Sequence, residues 1–204
     1  MASTGSRSKP KRIVFFGDSI TKAGVKPDGY ISKIGESLPS TEFELIGAGI
    51  GGNKVYDLYL RLEEDVLQKK PDVVVIYVGI NDVWHKETHG TGTDYPKFIK
   101  FYQSLITKIS SGGSKVILCT PSVIGEKIDG ANKMDADLDK YADAIRTLAK
   151  ENNLPLCDLR SIFASYEKKN NTSNLEKGIL TTDGVHLNAL GNQLVADNLL
   201  PFLK

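Results

Sequence analysis

Ile13-Val14-Phe15-Phe16-Gly17-Asp18-Ser19-Ile20 decides the fold of this chain. The apolar run predicts a strand over 12–16 with both faces buried, and Gly17-Asp18 ends it in a turn that leaves Ser19 exposed. Similar runs at 73–78, 115–120 and 154–157 predict further buried strands, whereas Phe43-Glu44-Leu45-Ile46 is short and mixed and reads as an edge. Helical spacings lie between and after them: Val55, Leu58, Leu62, Val66; Phe98, Phe101, Leu105, Ile109; Leu138, Tyr141, Ile145, Leu148; and Leu187, Leu190, Leu194, Val195. Parallel neighbours need crossover helices. The alternation therefore predicts a flavodoxin-like three-layer α/β/α sandwich around a five-stranded parallel sheet of order 2-1-3-4-5. Sites in such sheets form beyond the carboxyl ends of the strands, where strand order reverses. Loops 17–21, 47–53 and 79–82 should converge there, with Ser19 between them.

The chain has 204 residues, 40% of them apolar, which suffices for one core, and residues 12–204 are expected to form a single domain. Residues 1–11, rich in Ser, Lys and Arg, read as a disordered tail or an expression remnant. No secretory apolar segment or span of membrane length occurs, so a soluble protein is expected, cytoplasmic or exported after loss of a signal. With 26 basic and 25 acidic residues there is no net field to attract nucleic acid or an anionic membrane. Cys119 and Cys157 each end an apolar run and read as two buried thiols.

The residue types that carry chemistry are few. Attack by a serine on an ester carbonyl needs a base, and the histidines are His85, His89 and His186. His85 and His89 read as members of a polar loop before Gly90 and Gly92. His186 has Asp183 three residues earlier across a Gly184 turn, so the carboxylate can orient the imidazole locally. Backbone N–H groups in the Gly-rich loops and the Asn81 amide suit a developing oxyanion, and a side chain at Gly52 would crowd the approach to backbone. Asp18 is a candidate substrate contact or loop acceptor, Asp82 a loop acceptor, and Trp84 a pocket wall or a packing residue. The four-residue spacing of His85 and His89 lacks the further ligands of a metal site, so no metal and no cofactor are expected. Asn171-Thr172-Ser173 fits the glycosylation triplet but carries no weight.

Gly17-Asp18-Ser19-Ile20, Gly49-Ile50-Gly51-Gly52-Asn53, Gly79-Ile80-Asn81-Asp82 and Asp183-Gly184-Val185-His186 together resemble, in order, the four sequence blocks of the SGNH hydrolases, or GDSL-type esterases and lipases. The resemblance implies Ser19 as nucleophile, Asp183 and His186 as its partners, and an oxyanion hole made of the Ser19 and Gly52 backbone and the Asn81 side chain. Asn53 stands where many members have Asp, and Ile80 where the third block often has Gly. Neither is a catalytic position. The expected activity is hydrolysis of short-chain esters, acetyl above all, through an acyl-enzyme. Short connections leave little chain for a lid or acyl tunnel, and a small molecule or acetylated carbohydrate is the expected partner.

Other readings remain open at this stage. Lipase, lysophospholipase or thioesterase activity would use the same blocks. A dinucleotide-binding protein is another reading, since Gly47-Ala48-Gly49-Ile50-Gly51-Gly52 satisfies G-x-G-x-x-G, but the motif follows the second strand rather than the first, and Asn53-Lys54 misses the P-loop ending. A non-catalytic carbohydrate-binding protein is disfavoured by an intact Ser19, Asp183 and His186. No G-x-S-x-G elbow exists, which disfavours the α/β-hydrolase fold. Natural substrate, oligomeric state and compartment are not encoded legibly.

Overall fold

The computed structural model describes residues 9–204. Five parallel strands form one sheet of order β2-β1-β3-β4-β5: β1 Lys11–Gly17, β2 Phe43–Gly49, β3 Val73–Tyr77, β4 Lys115–Cys119 and β5 Leu156–Cys157. This is the expected order. All residues of β3 are buried, whereas β2 alternates between partial burial and exposure as an edge strand should. Register aligns Gly49, Gly17, Tyr77, Cys119 and Cys157 in a row at the carboxyl edge of the sheet. The loops that follow Gly49, Gly17 and Tyr77 in that row leave β1 and its two neighbours side by side, at the switch point.

The helices are α1 Ser19–Gly24, α2 Tyr30–Ser37, α3 Val55–Leu60, α4 Leu62–Asp65, α5 Ile80–His89, α6 Tyr95–Ser111, α7 Asp135–Glu151, α8 Leu159–Asn170 and α9 Ala189–Leu199. Short 3-10 turns follow α4 at Leu67–Lys69 and α9 at Leu200–Phe202. Phe15, Phe16, Val75 and Ile76 on the central strands are fully buried beneath Phe98, Leu105, Tyr141, Ile145 and Phe163 of the covering helices. Burying one such side chain is worth about 1.5–3 kcal/mol, so the sheet core dominates stability. Cys119 and Cys157 are buried free thiols on adjacent strands.

Several sequence expectations need correction. The tail expected at 1–11 overlaps the sheet: residues 1–8 lie outside the described residues, but Lys11 opens β1 and its N–H donates to Glu42 O at 2.7 Å. The stripe Val55–Leu58–Leu62–Val66 is not one helix. It breaks at Arg61, whose guanidinium turns inward, donating to Gly17 O at 2.7 Å and Ala48 O at 3.1 Å. In the last stripe, Leu187 precedes the helix and Leu190 is 45% exposed, because Asn188 caps α9 through the Gly191 N–H. His85 and His89 belong to α5 rather than to a loop. Gly79 and the left-handed Gly90 bound that helix, and its outward face carries the polar residues that hid its period.

Candidate active site

Ser19 is the first residue of α1, immediately beyond the carboxyl end of β1. Gly17 is required there, since a methyl group on it would fall 2.4 Å from both Tyr77 O and Thr21 Oγ1. Asp18 caps α1 by accepting the Ile20 N–H at 2.9 Å. It is 3% exposed, so the position expected for a substrate contact is that of a buried loop acceptor. Burial, with the neighbouring Asp82 charge adding to it, pushes its carboxyl up to about 7.

A row of side chains runs outward from Ser19. Ser19 Oγ lies 3.0 Å from His186 Nε2, and His186 Nδ1 lies 2.7 Å from Asp183 Oδ2. The other carboxylate oxygen of Asp183 accepts the backbone N–H groups of Val185 at 3.0 Å and His186 at 2.8 Å, closing the turn at Gly184. Partial burial pushes the Asp183 carboxyl up, but the hydrogen bonds from the His186 ring and from the His186 and Val185 backbone outweigh it and hold the group below the usual carboxylate range. An anionic Asp183 fixes His186 with its proton on Nδ1, leaving Nε2 free to accept one from Ser19.

The loop after β2 passes beside the serine. A methyl group on Gly51 would stand 3.9 Å from Ser19 Cβ, and Gly52, at φ +76°, adopts a conformation that other residues resist. Asn81, on the first turn of α5, donates from Nδ2 to Asn53 O at 3.0 Å, which binds the two loops together. The Ser19 N–H, the Gly52 N–H and the Asn81 amide thus belong to loops that touch one another. Among the described residues neither of the two backbone N–H groups makes a hydrogen bond.

Two supports hold these loops from behind: Arg61, which sequence reading missed, and Asp82, which it read as a loop acceptor. Arg61 donates to Asn53 Oδ1 at 2.8 Å, pairs with Asp65 at 2.6 Å and stacks 4.6 Å from the Phe16 ring centre, while also holding the ends of β1 and β2. Asp82 accepts the Val55 N–H at 3.2 Å and the Thr93 hydroxyl, anchoring α3 directly behind the Gly52 loop. Burial pushes the Asp82 carboxyl up to about 6, although the Thr93 and Val55 hydrogen bonds pull it down. Nothing local in the sequence announces the role of Arg61, beyond the polarity of the residue.

Trp84 packs edge-on to the His186 ring with centroids 6.1 Å apart, and the His85 ring centre lies 5.7 Å from that of Trp84. Burial, helped by Lys54, lowers the pKa of His85 below the ordinary histidine range. Trp84 also walls a hollow of about 490 Å³ that touches Asp183 and is lined by Gly125, Asn132 and Met134. A larger hollow of about 570 Å³ lies at the opposite end of the sheet, against Pro71, Asp72 and Lys115, where β3 and β4 begin. It has no connection to Ser19.

Comparison with known proteins agrees with this architecture. The GDSL-like lipase/acylhydrolase family model matches residues 15–194. An acetylxylan esterase of Geobacillus stearothermophilus is 31% identical, with 91% of this chain and 90% of that protein covered. The isoamyl acetate-hydrolyzing esterase 1 homolog of Rattus norvegicus is 22% identical across all of this chain and 85% of its own length. A crystal structure of an acetyl xylan esterase, AlAXEase, superposes with a TM-score of 0.92 at 56% identity, covering 95% of this chain and 100% of that one. The chain is a carboxylic ester hydrolase and belongs to the GDSL-like lipase/acylhydrolase family.

Proposed function

We propose that this protein removes acetyl groups from acetylated carbohydrates, with Ser19, His186 and Asp183 as its catalytic triad and residues 12–204 as one catalytic unit. The observation that carries this reading is the hydrogen-bonded row from Ser19 Oγ through His186 to Asp183. His186 Nε2 takes the Ser19 proton as Oγ bonds to the acetyl carbon, and the carbonyl oxygen becomes an oxyanion facing Ser19 N, Gly52 N and the Asn81 amide. Collapse of this intermediate breaks the bond to the sugar oxygen, which receives the proton from His186. Water then repeats the sequence on the acetyl-enzyme, releasing acetate and restoring Ser19. Asp183 orients the imidazole and stabilises the imidazolium without taking the proton.

The substrate assignment rests on two supports. The relatives named as acetylxylan esterases cover nearly the whole chain, and the hollow beside Asp183 has a mixed lining of Trp84, Met134, Asn132 and Lys127 that suits a hydroxylated alcohol better than an alkyl chain. The test is kcat/KM on acetylated xylooligosaccharides beside acetyl, butyryl, octanoyl and palmitoyl esters of one chromogenic alcohol. Acetyl should be preferred within the chromogenic series, and the acetylated oligosaccharides should be turned over. A maximum at octanoyl or longer would move the reading to a lipase or thioesterase.

A further inference from the structure

Asp183 and His186 do not stand on the sheet. They lie in a tight hairpin ahead of α9, pinned at its stem by the Thr181–Leu187 bridge, by Thr182 N donating to His186 O at 2.8 Å and by Asn188 N donating to Leu180 O at 3.0 Å. What fixes that stem to the rest of the molecule is a carboxylate. Glu126, on the connection between β4 and α7, is fully buried and accepts three consecutive backbone N–H groups, from Ile179, Leu180 and Thr181, at 2.5–2.8 Å. The two segments interlock on either side of it. Gly125 N donates to Gly184 O at 2.8 Å, and Glu126 N to Glu176 O at 2.9 Å. The buried Asn171 side chain, the acceptor position of the glycosylation triplet, donates to Glu126 O at 2.7 Å and to Leu175 O at 2.8 Å.

Among the described residues Glu126 makes no salt bridge. The three N–H dipoles do what a cation would otherwise do, and charge-assisted bonds of this kind are the strong ones. Behind Glu126 lies Glu167 of α8, which feels the Glu126 charge and also that of Arg160 and Asp135, a pair bonded to each other at 2.9 Å. We propose that Glu126 is a positioning residue for hydrolysis: its buried carboxylate sets the height and orientation of the hairpin carrying Asp183 and His186 against Ser19. This rests on the triad reading above. An amide at position 126 would still accept some of the three bonds but would turn an NH2 group toward backbone donors, leaving the stem loose by a fraction of an ångström.

The test is a double-mutant cycle on hydrolysis of p-nitrophenyl acetate, with kcat and KM measured for Glu126→Gln, His186→Ala and the pair. A small misplacement of a catalytic group lowers kcat roughly 10- to 100-fold. Glu126→Gln should do so with KM within about twofold, since no substrate contact is lost. In the His186→Ala background the same change should add less than about threefold, because there is no longer a base to misplace. An equal loss in both backgrounds, an unchanged kcat, or an effect confined to KM overturns the proposal while leaving the triad intact. Full activity of His186→Ala alone would instead overturn the triad. Glu126→Asp keeps the charge but withdraws it by one methylene, and it carries the same cycle if Glu126→Gln does not fold.

Discussion

Ser19 and the donors around it stand on the carboxyl ends of adjacent strands, whereas Asp183 and His186 hang from a hairpin that no strand of the sheet supports. The first half is placed by main-chain register: β1, β2 and β3 end in line, so their loops meet without further help. The second half is held from a distant connection, by the Glu126 carboxylate and by the Gly125 N–H bond to Gly184 O. A nucleophile and its base can therefore be positioned by two unrelated devices, one cooperative with the core and one resting on a few buried polar bonds. The two should fail differently when perturbed.

The largest effect is expected on the sheet side. Ser19→Ala removes the nucleophile, so kcat should fall by on the order of 10⁵- to 10⁶-fold, and labelling by a fluorophosphonate should vanish while the melting temperature is kept. Normal labelling of that variant would sink the assignment. Asn81→Ala removes one oxyanion donor and should lower kcat by roughly 10²- to 10³-fold with a smaller change in KM, read where chemistry limits turnover. It also breaks the tie to Asn53, so a fall in melting temperature should accompany it.

Arg61→Lys sharpens the comparison further. Lysine keeps the charge but not the fork that reaches Gly17 O, Ala48 O and Asn53 Oδ1 together. A roughly 10-fold loss of kcat together with a lower denaturation midpoint is expected, because the sheet edge and the site loosen as one. Loss of stability with full kcat would separate the two and disprove that coupling. The smallest effect concerns Glu167, which sits behind the hairpin's anchor. Its Oε1 has no hydrogen-bond partner among the described residues, and burial, with the Glu126 charge adding to it, pushes its carboxyl up to about 8. Because the folded value lies above the ordinary 4.5, the fold favours the protonated form. That contribution is complete below pH 4.5 and drains away as pH rises toward about 8. Glu167→Gln should thus match the parent near pH 5 and melt at least about 2 °C higher near pH 8, with kcat unchanged. Asp18 and Asp82 bias the parent in the same direction, so the difference between variants is the quantity to measure. Parallel melting profiles would refute the argument.

The contrast also explains what the sequence displayed. Strands such as Val73–Tyr77 are continuous apolar runs, and the mixed pattern of Phe43–Gly49 betrayed an edge, so sheet order followed from pattern and connection rules. Short or solvent-facing helices were harder to see. Ser19–Gly24 is too brief to show a period, and Ile80–His89 buries residues only in its first turn. The spacing through Leu62 and Val66 looked continuous because the break at Arg61 arises from tertiary bonds to strand ends. At the site, the motifs placed Ser19, Asn81, Asp183 and His186 in the list of candidates. Glu126 was absent from it, since no local pattern links position 126 to backbone donors at 179–181.

The edge-on contact between Trp84 and His186 has a practical side. Trp84 is the single tryptophan of the chain, so the indole emission of the whole protein originates 6.1 Å from the imidazole beside Ser19. A protonated imidazolium next to an excited indole accepts an electron and darkens it, whereas neutral imidazole does so far less. Intrinsic fluorescence, followed against pH, thus becomes a built-in optical gauge of whether the His186 ring carries one proton or two. His85, the other flanking ring, titrates below the ordinary histidine range, and replacing it by asparagine would leave a one-residue signal. The same light would report acylation of Ser19 in a stopped-flow trace, with no label and no chromogenic substrate.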